Sequence, residues 1–334
     1  MPVKDPVLIR TSERKDFTRC RQRWVWAYVD RLKPITSKPA LVFGDLVHQA
    51  LAVFYPPGRK RGPLPATTFQ KLSDENEKEL YGAYDDEGEY LDALELGITM
   101  LNGYVEHYGK DPDIFVVSPE QEFQLDIYDS ETDEYLCTYV GTFDAVVMRM
   151  KTKKIGLLEH KTDKSIPSAN IFLPLDEQGG SYWAYGPDWL KSRNILKRGQ
   201  TLDFILYNFL RKGKPDERPR NEKGLCLNQD GSVSKRQPPP LFHREYMFRN
   251  NAMRANLMKR VEHQAWEMSL VRSGELEAYK NPTANCRWDC QFKDMCELHE
   301  RGDDWESFRD AMFRRWNPYE AHDVMISQQD AEDR

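Results

Sequence analysis

The chain has 334 residues, 40% of them hydrophobic and 31% charged, and a formal net charge of −6. That length suffices for one large domain or two modest ones with buried cores, and the acidic balance excludes a protein that coats nucleic acid by bulk attraction, so any contact with DNA must come from local patches. MPVKDPVLIRTSERKDF has no apolar run behind a basic stretch, and no later segment approaches the roughly 18 apolar residues of a membrane span. Neither secretion nor membrane insertion is expected, and six cysteines in such a chain point to reduced thiols in the cytoplasm rather than a disulfide framework.

In chain order, Ser12 to Leu32 reads as a helical stretch rich in aromatics, and Ala40, Phe43, Val47, Leu51 and Phe54 recur at helical spacing until Pro56-Pro57-Gly58 stops them. Two further helices are predicted around Thr67–Tyr84 and Glu87–Tyr108. The pattern then changes to strands at Phe115–Ile127 and Tyr135–Met150, joined by a hairpin turn at DSETDE, with a third strand at Lys154–His160. A helix at Asp176–Ser192, strands at Asp203–Leu210 and Leu241–Phe248, and a long helix from Asn251 to Gly274 follow. The last sixty residues hold three close cysteines and an acidic tail, QQDAEDR, expected to be disordered. Basic stretches lie at Arg10–Arg31 and Lys191–Lys223; for either alone solvated surface charge is the commoner reading, so they serve only as support for DNA contact.

Hydrolysing a phosphodiester needs an activated water and stabilisation of charge on phosphoryl oxygens, which carboxylates holding Mg²⁺ or Mn²⁺ can supply. Asp144 sits in GTFDAVVMRM, and LLEHKT follows, where Glu159 and Lys161 alternate on a strand and share a side while His160 faces the other way. The two carboxylates can hold a metal and the lysine can orient the attacking water. Glu-x-Lys is common by chance, but this one ends an apolar strand, where ionised groups are costly unless paired or metal-bound.

These residues give the chain its resemblance to the RecB- and AddB-type branch of the PD-(D/E)XK nucleases, which includes CRISPR-associated iron–sulfur exonucleases and phage exonucleases. The resemblance runs through nearly the whole chain. The family's GxxxH helix resembles Gly44 to His48, implying His48 as a metal ligand; its G-x-x-D is matched by Gly141 to Asp144, and its acid-x-Lys-Thr by Glu159-His160-Lys161-Thr162. Asp144, Glu159 and the His160 carbonyl would then hold the metal, and Lys161 would be the catalytic lysine. A Q-x-x-x-Y motif is matched by Gln178 to Tyr182, implying a role in positioning DNA or water, although Tyr182 suits packing against the sheet equally well. Gly179-Gly180 leaves room there for close approach of a backbone. Glu120 is either an extra active-site acid or a strand-edge charge.

Cys286, Cys290 and Cys296 form a C-x3-C-x5-C run that can wrap a metal centre. The family's iron–sulfur members take a fourth ligand near the N-terminus, where Cys20 stands, so the resemblance implies a [4Fe–4S] cluster; the spacing alone favours zinc. The spacing of three residues between the first two C-terminal cysteines departs from the family's usual two. Cys137 and Cys226 are read as non-ligands.

The expectation is an α/β fold of restriction-endonuclease type, a mixed sheet flanked by helices. Residues 1–112 would form a helical region with Cys20 and the GxxxH helix, 113–275 the nuclease core, 276–315 the cysteine segment packed on the N-terminus, and 316–334 a disordered tail. The expected activity is metal-dependent exonucleolytic hydrolysis of single- or double-stranded DNA with free ends, in phage or bacterial recombination, repair or processing, with Arg19, Arg21 and Arg23 tracking phosphates. A recombinase or single-strand-binding protein is the class of partner to look for. A catalytically inactive DNA-binding subunit and a zinc-stabilised interaction module are the rival readings. No G-x-x-x-x-G-K-[ST] is present to make the chain a helicase–nuclease by itself.

Overall fold

The computed structural model describes residues 7–36, 39–84 and 86–320; the QQDAEDR tail expected to be disordered lies outside them. Strand β1 (Leu8–Ile9) leads into helices α1 (Thr11–Arg19) and α2 (Arg21–Trp24), a π-helical turn at Val25–Val29 and strand β2 (Leu32–Pro34). Helices α3 (Pro39–Phe54), α4 (Pro65–Glu75), α5 (Glu77–Tyr81) and α6 (Glu87–Tyr108) precede the long hairpin of β3 (Ile114–Tyr128) and β4 (Tyr135–Arg149). Then come β5 (Ile155–Asp163), α7 (Ile166–Ile171), α8 (Glu177–Ser192), β6 (Phe204–Arg211), β7 (Phe242–Met247) and α9 (Asn251–Ser273). Helices α10 (Cys286–Asp289), α11 (Lys293–Arg301) and α12 (Trp305–Met312) and strand β8 (Phe313–Arg315) complete the order.

The sheet is mixed. β3 pairs antiparallel with β4, β4 antiparallel with β5, β5 parallel with β6, and β6 antiparallel with β7, while β1 runs parallel to β4 at Thr138 and Tyr139. Period-two alternation divides its side chains between two cores. Leu157, Ile205 and Tyr207 pack with α8, α9 and the N-terminal aromatics Phe17 and Trp24; Leu158, Leu206 and Leu210 pack with α3, α4 and α6. The expected α/β architecture, a mixed sheet flanked by helices, is the one observed.

The long periodic elements lie within a few residues of their predicted bounds. Two predicted helices are divided. Ser12–Leu32 breaks at Cys20, whose backbone is extended (φ −162°, ψ 114°), then passes through the π-helical turn, where Trp26, Ala27 and Tyr28 are all buried, and ends in β2. Thr67–Tyr84 divides at Asn76, whose φ of −113° and ψ of 17° cap α4. β2 and β8 pair antiparallel from Leu32–Arg315 to Pro34–Phe313 and so tie the early chain to the late chain; each is too short to leave a periodic pattern.

A polar network crosses the second core. Arg244 on β7 donates to both carboxylate oxygens of Asp111, at 2.9 and 2.7 Å, to the hydroxyls of Tyr55 and Tyr104, and through Nε to Asn208 Oδ1 at 3.0 Å. Asp111 and Asn208 are buried. Removing one partner of such a pair leaves the other charged and desolvated, so Arg244→Ala is expected to destabilise the fold by about 3–5 kcal/mol, read from urea unfolding; a loss under about 1 kcal/mol would show that solvent reaches Asp111.

Candidate active site

The ladder between β4 and β5 covers Ala145–Met148 against Ile155–Leu158 and stops at the positions of Asp144 and Glu159. Beyond that point β5 pairs with β6 as far as Asp163, and β1 joins β4 only at Thr138 and Tyr139, so the two strands part between. Asp144 occupies the fork: its Oδ2 accepts from the backbone N–H of His160 at 2.6 Å, and its Oδ1 accepts from His48 Nδ1 at 3.2 Å. Alternation along β4 breaks here, since Phe143 and Val146 both pack in the core against α8 and α9. A cleft of about 640 Å³ opens at the fork, lined by His48, Glu120, Asp144, His160, Thr162 and Lys212 among others.

Lys161 and Glu159 share a side, as their alternation requires. Lys161 Nζ donates to Glu159 Oε1 and to Gln178 Oε1, each at 2.8 Å. Gln178 lies in the first turn of α8, which is capped by Asp176: its carboxylate accepts from the Gly179 N–H at 2.8 Å and the Tyr207 hydroxyl at 2.9 Å. Gly179 is required, because a Cβ there would lie 2.4 Å from the Tyr207 hydroxyl. One turn along, the buried Tyr182 packs on Phe123 and Phe143 and hydrogen-bonds with Gln178. Gly141 makes room for it, since a Cβ would stand 2.9 Å from the Tyr182 ring. Gln178 thus touches the lysine, while Tyr182 is a core residue behind it. Arg14, also buried, steadies the same turn through Glu177 at 2.6 Å and Ser181 at 3.0 Å.

Electrostatics set the groups apart. Burial opposes the charge of Asp144, but His48 and the His160 amide hold its carboxyl well below the usual range. Burial pushes Glu159 up to about 7 against the pull of Lys161, with Asp144 adding to the rise. Burial likewise disfavours the charges of Lys161 and His48, yet Glu159 and Asp144 respectively keep both above their ordinary values. Glu120 is flanked by the pairs Pro119–Ala145 and Gln121–Phe143 and so stands across from Asp144; burial and Asp144 raise its pKa. Among the described residues no three His, Cys, Asp or Glu side chains are grouped to hold a metal ion. His48 and Asp144 are in contact, whereas Glu159 is held by Lys161.

His160 points away from Lys161, onto Tyr55 (ring centroids 5.7 Å apart) and Asn208, with its ring edge-on to His48 at 6.0 Å. Burial pushes it down to about 3, so it is neutral. Asn208 and Arg244 did not emerge from motif reading. The signal was a polar residue amid FILYNFLR, a strand buried from Phe204 to Leu210.

The cysteines gather where the chain's ends meet. Cys20 caps α1 and accepts from the Asn281 N–H at 3.4 Å; Cys286 accepts from the Thr283 N–H at 3.4 Å, and Cys290 from the Phe292 amide. Burial raises Cys296, Lys280 opposes the rise, and the nearby Cys290, Cys20 and Cys286 add to it. All six cysteines are free; Cys137 and Cys226 are buried elsewhere. The arginines expected to track phosphates are engaged instead: Arg19 pairs with Asp289, Arg21 with Glu267 and Arg23 with Asp16. These ion pairs fasten α1 and α2 to each other and to α9 and α10.

Among the described residues no helix is long and apolar enough to cross a membrane. A candidate exonuclease of Eubacterium rectale, known from its crystal structure, is 11% identical to this chain, over 84% of this chain and 88% of its own, with a TM-score of 0.42. No curated protein matches the chain at a significant level. The sequence profile of the PD-(D/E)XK nuclease superfamily matches residues 11–297, which include His48, Asp144, Glu159, Lys161, Gln178, Cys20, Cys286, Cys290 and Cys296. The chain belongs to the PD-(D/E)XK nuclease superfamily.

Proposed function

We propose that the protein is a Mg²⁺- or Mn²⁺-dependent DNA exonuclease of the RecB- and AddB-type branch, with a [4Fe–4S] cluster at its cysteine corner, acting in phage or bacterial DNA recombination, repair or processing. The observation that carries this reading is Lys161, held between Glu159 and Gln178 beside the Asp144–His48 pair, in a chain whose superfamily consists of nucleases that typically use divalent metals. Carboxylate and carbonyl oxygens with one imidazole suit a hard divalent cation. Asp144, Glu159, the His160 carbonyl and His48 would hold it, the His48 ring giving up its bond to Asp144 to do so. A buried acid raised to about 7 also favours a cation nearby.

A bound divalent ion supplies an acidified water and stabilises charge on the phosphoryl oxygens. Lys161 would orient the attacking water, and Gln178 fixes where its ammonium points. For the cysteines, four thiols with backbone N–H groups donating to three of the sulfurs fit a thiolate-held centre, because such donors stabilise ligated sulfur. The departure from the usual spacing leaves zinc as the competing occupant.

End-labelled linear DNA, single- and double-stranded, is expected to lose its label with Mg²⁺ or Mn²⁺ and not with EDTA. Lys161→Ala and Asp144→Ala should each lower kcat by about 10³-fold or more while remaining folded. No cleavage by folded wild type with either metal would make the chain a DNA-binding subunit, and cleavage only within closed circles would make it an endonuclease. Protein purified without oxygen should be brown and contain iron and acid-labile sulfide, and Cys290→Ser should lose both and melt at a lower temperature. Colourless protein containing zinc would contradict the cluster and leave the nuclease reading intact.

A further inference from the structure

We propose that the imidazole of His160 is itself part of the active site, a neutral N–H donor aimed at a non-bridging oxygen of the scissile phosphate; this rests on the nuclease reading above. The case is a chain of forced hydrogen bonds. Arg244 can only donate, so the Asn208 atom that its Nε meets at 3.0 Å is the amide oxygen. The Asn208 amide nitrogen therefore faces the other way, 2.7 Å from His160 Nδ1 and 3.1 Å from the Tyr104 hydroxyl. An amide nitrogen can only donate, so Nδ1 must accept, and the single ring proton of His160 lies on Nε2.

That proton has a place to go. His160 lines the cleft together with His48 and Asp144, and its ring stands edge-on to His48 at 6.0 Å. Its rotation is blocked from behind by Tyr55, whose ring lies 5.7 Å away and is tilted by 32°. Arg244, held by Asp111, Tyr55 and Tyr104, cannot turn to offer Asn208 a different atom. The donor is thus fixed before substrate arrives, in the cleft that Asp144 also lines. A preorganised N–H there strengthens as charge grows on the phosphoryl oxygens in the transition state, which is the condition for raising kcat rather than affinity. His160 would touch substrate directly; Asn208 and Arg244 are positioning residues that act through it.

The test compares two replacements in an enzyme already shown to cleave DNA. His160→Phe keeps the ring on Tyr55 and the backbone carbonyl but removes the donor, and is expected to lower kcat about 100-fold with little change in KM or in Mn²⁺ affinity. His160→Gln restores an N–H donor and should recover most of the lost rate. Long-range ¹H–¹⁵N spectra of metal-free wild type should show the proton on Nε2. Equal activity of the Phe and Gln variants, high or low, or a proton found on Nδ1, would overturn the assignment. If wild type cleaves no DNA, the nuclease reading fails first, and the tautomer alone still decides whether the donor is built as described.

Discussion

The site depends on a backbone amide that a side chain has taken over. Where β4 and β5 part, the N–H of His160 would face an unpaired edge; it donates instead to the Asp144 carboxylate at 2.6 Å. One interaction satisfies a buried peptide group and holds a carboxylate ionised in a fork between two strands, beside a histidine and a second acid. A closed ladder would leave no cleft, and a fork without Asp144 would leave the amide orphaned. The geometry that makes the fork stable is thus the geometry that makes it chemically useful.

The fork is steadied from both faces of the sheet. On one side Arg14, from α1, bonds Glu177 and Ser181 in the first turns of α8, the turn that offers Gln178 to Lys161. Because α1 ends at Cys20 and is fastened to the cysteine segment through Asn281 and Asp289, the corner where the chain's ends meet is connected to the lysine by a single short helix. On the other side Arg244, Asp111, Tyr55, Tyr104 and Asn208 form one network under the imidazole of His160. Arg14, Ser181, Asp111, Tyr55, Tyr104 and Asn208 are buried and hydrogen-bonded, which is what it takes to hold polar groups rigidly in a core.

Much of this was legible in the sequence. The strand-like runs of β3, β4 and β6, the helical periodicity of α3 and α6, and the polar turn between β3 and β4 carried their own signals, as did the alternation that places Glu159 with Lys161. Gly44 to His48 and Gln178 to Tyr182 were visible as spaced motifs, and the structure puts His48 against Asp144 and Gln178 against Lys161. The fork was not legible, because where two strands stop pairing is decided by tertiary contacts and not by either strand's pattern. Arg19 and Arg21 were candidates for phosphate contact; the acids they pair with, Asp289 and Glu267, are roughly 250 residues away in sequence, which local composition cannot reveal. Arg244 escaped for a similar reason, being ordinary until it is seen against Asn208, the polar residue in the buried run of β6.

The most direct test of the account is the location of a bound divalent ion. In crystals grown with Mn²⁺, the anomalous difference map should show a peak at the fork, coordinated by His48, Asp144, Glu159 and the carbonyl oxygen of His160, with Glu159 released from Lys161. A peak elsewhere on the protein, or none at the fork at Mn²⁺ concentrations that support DNA cleavage, would contradict it.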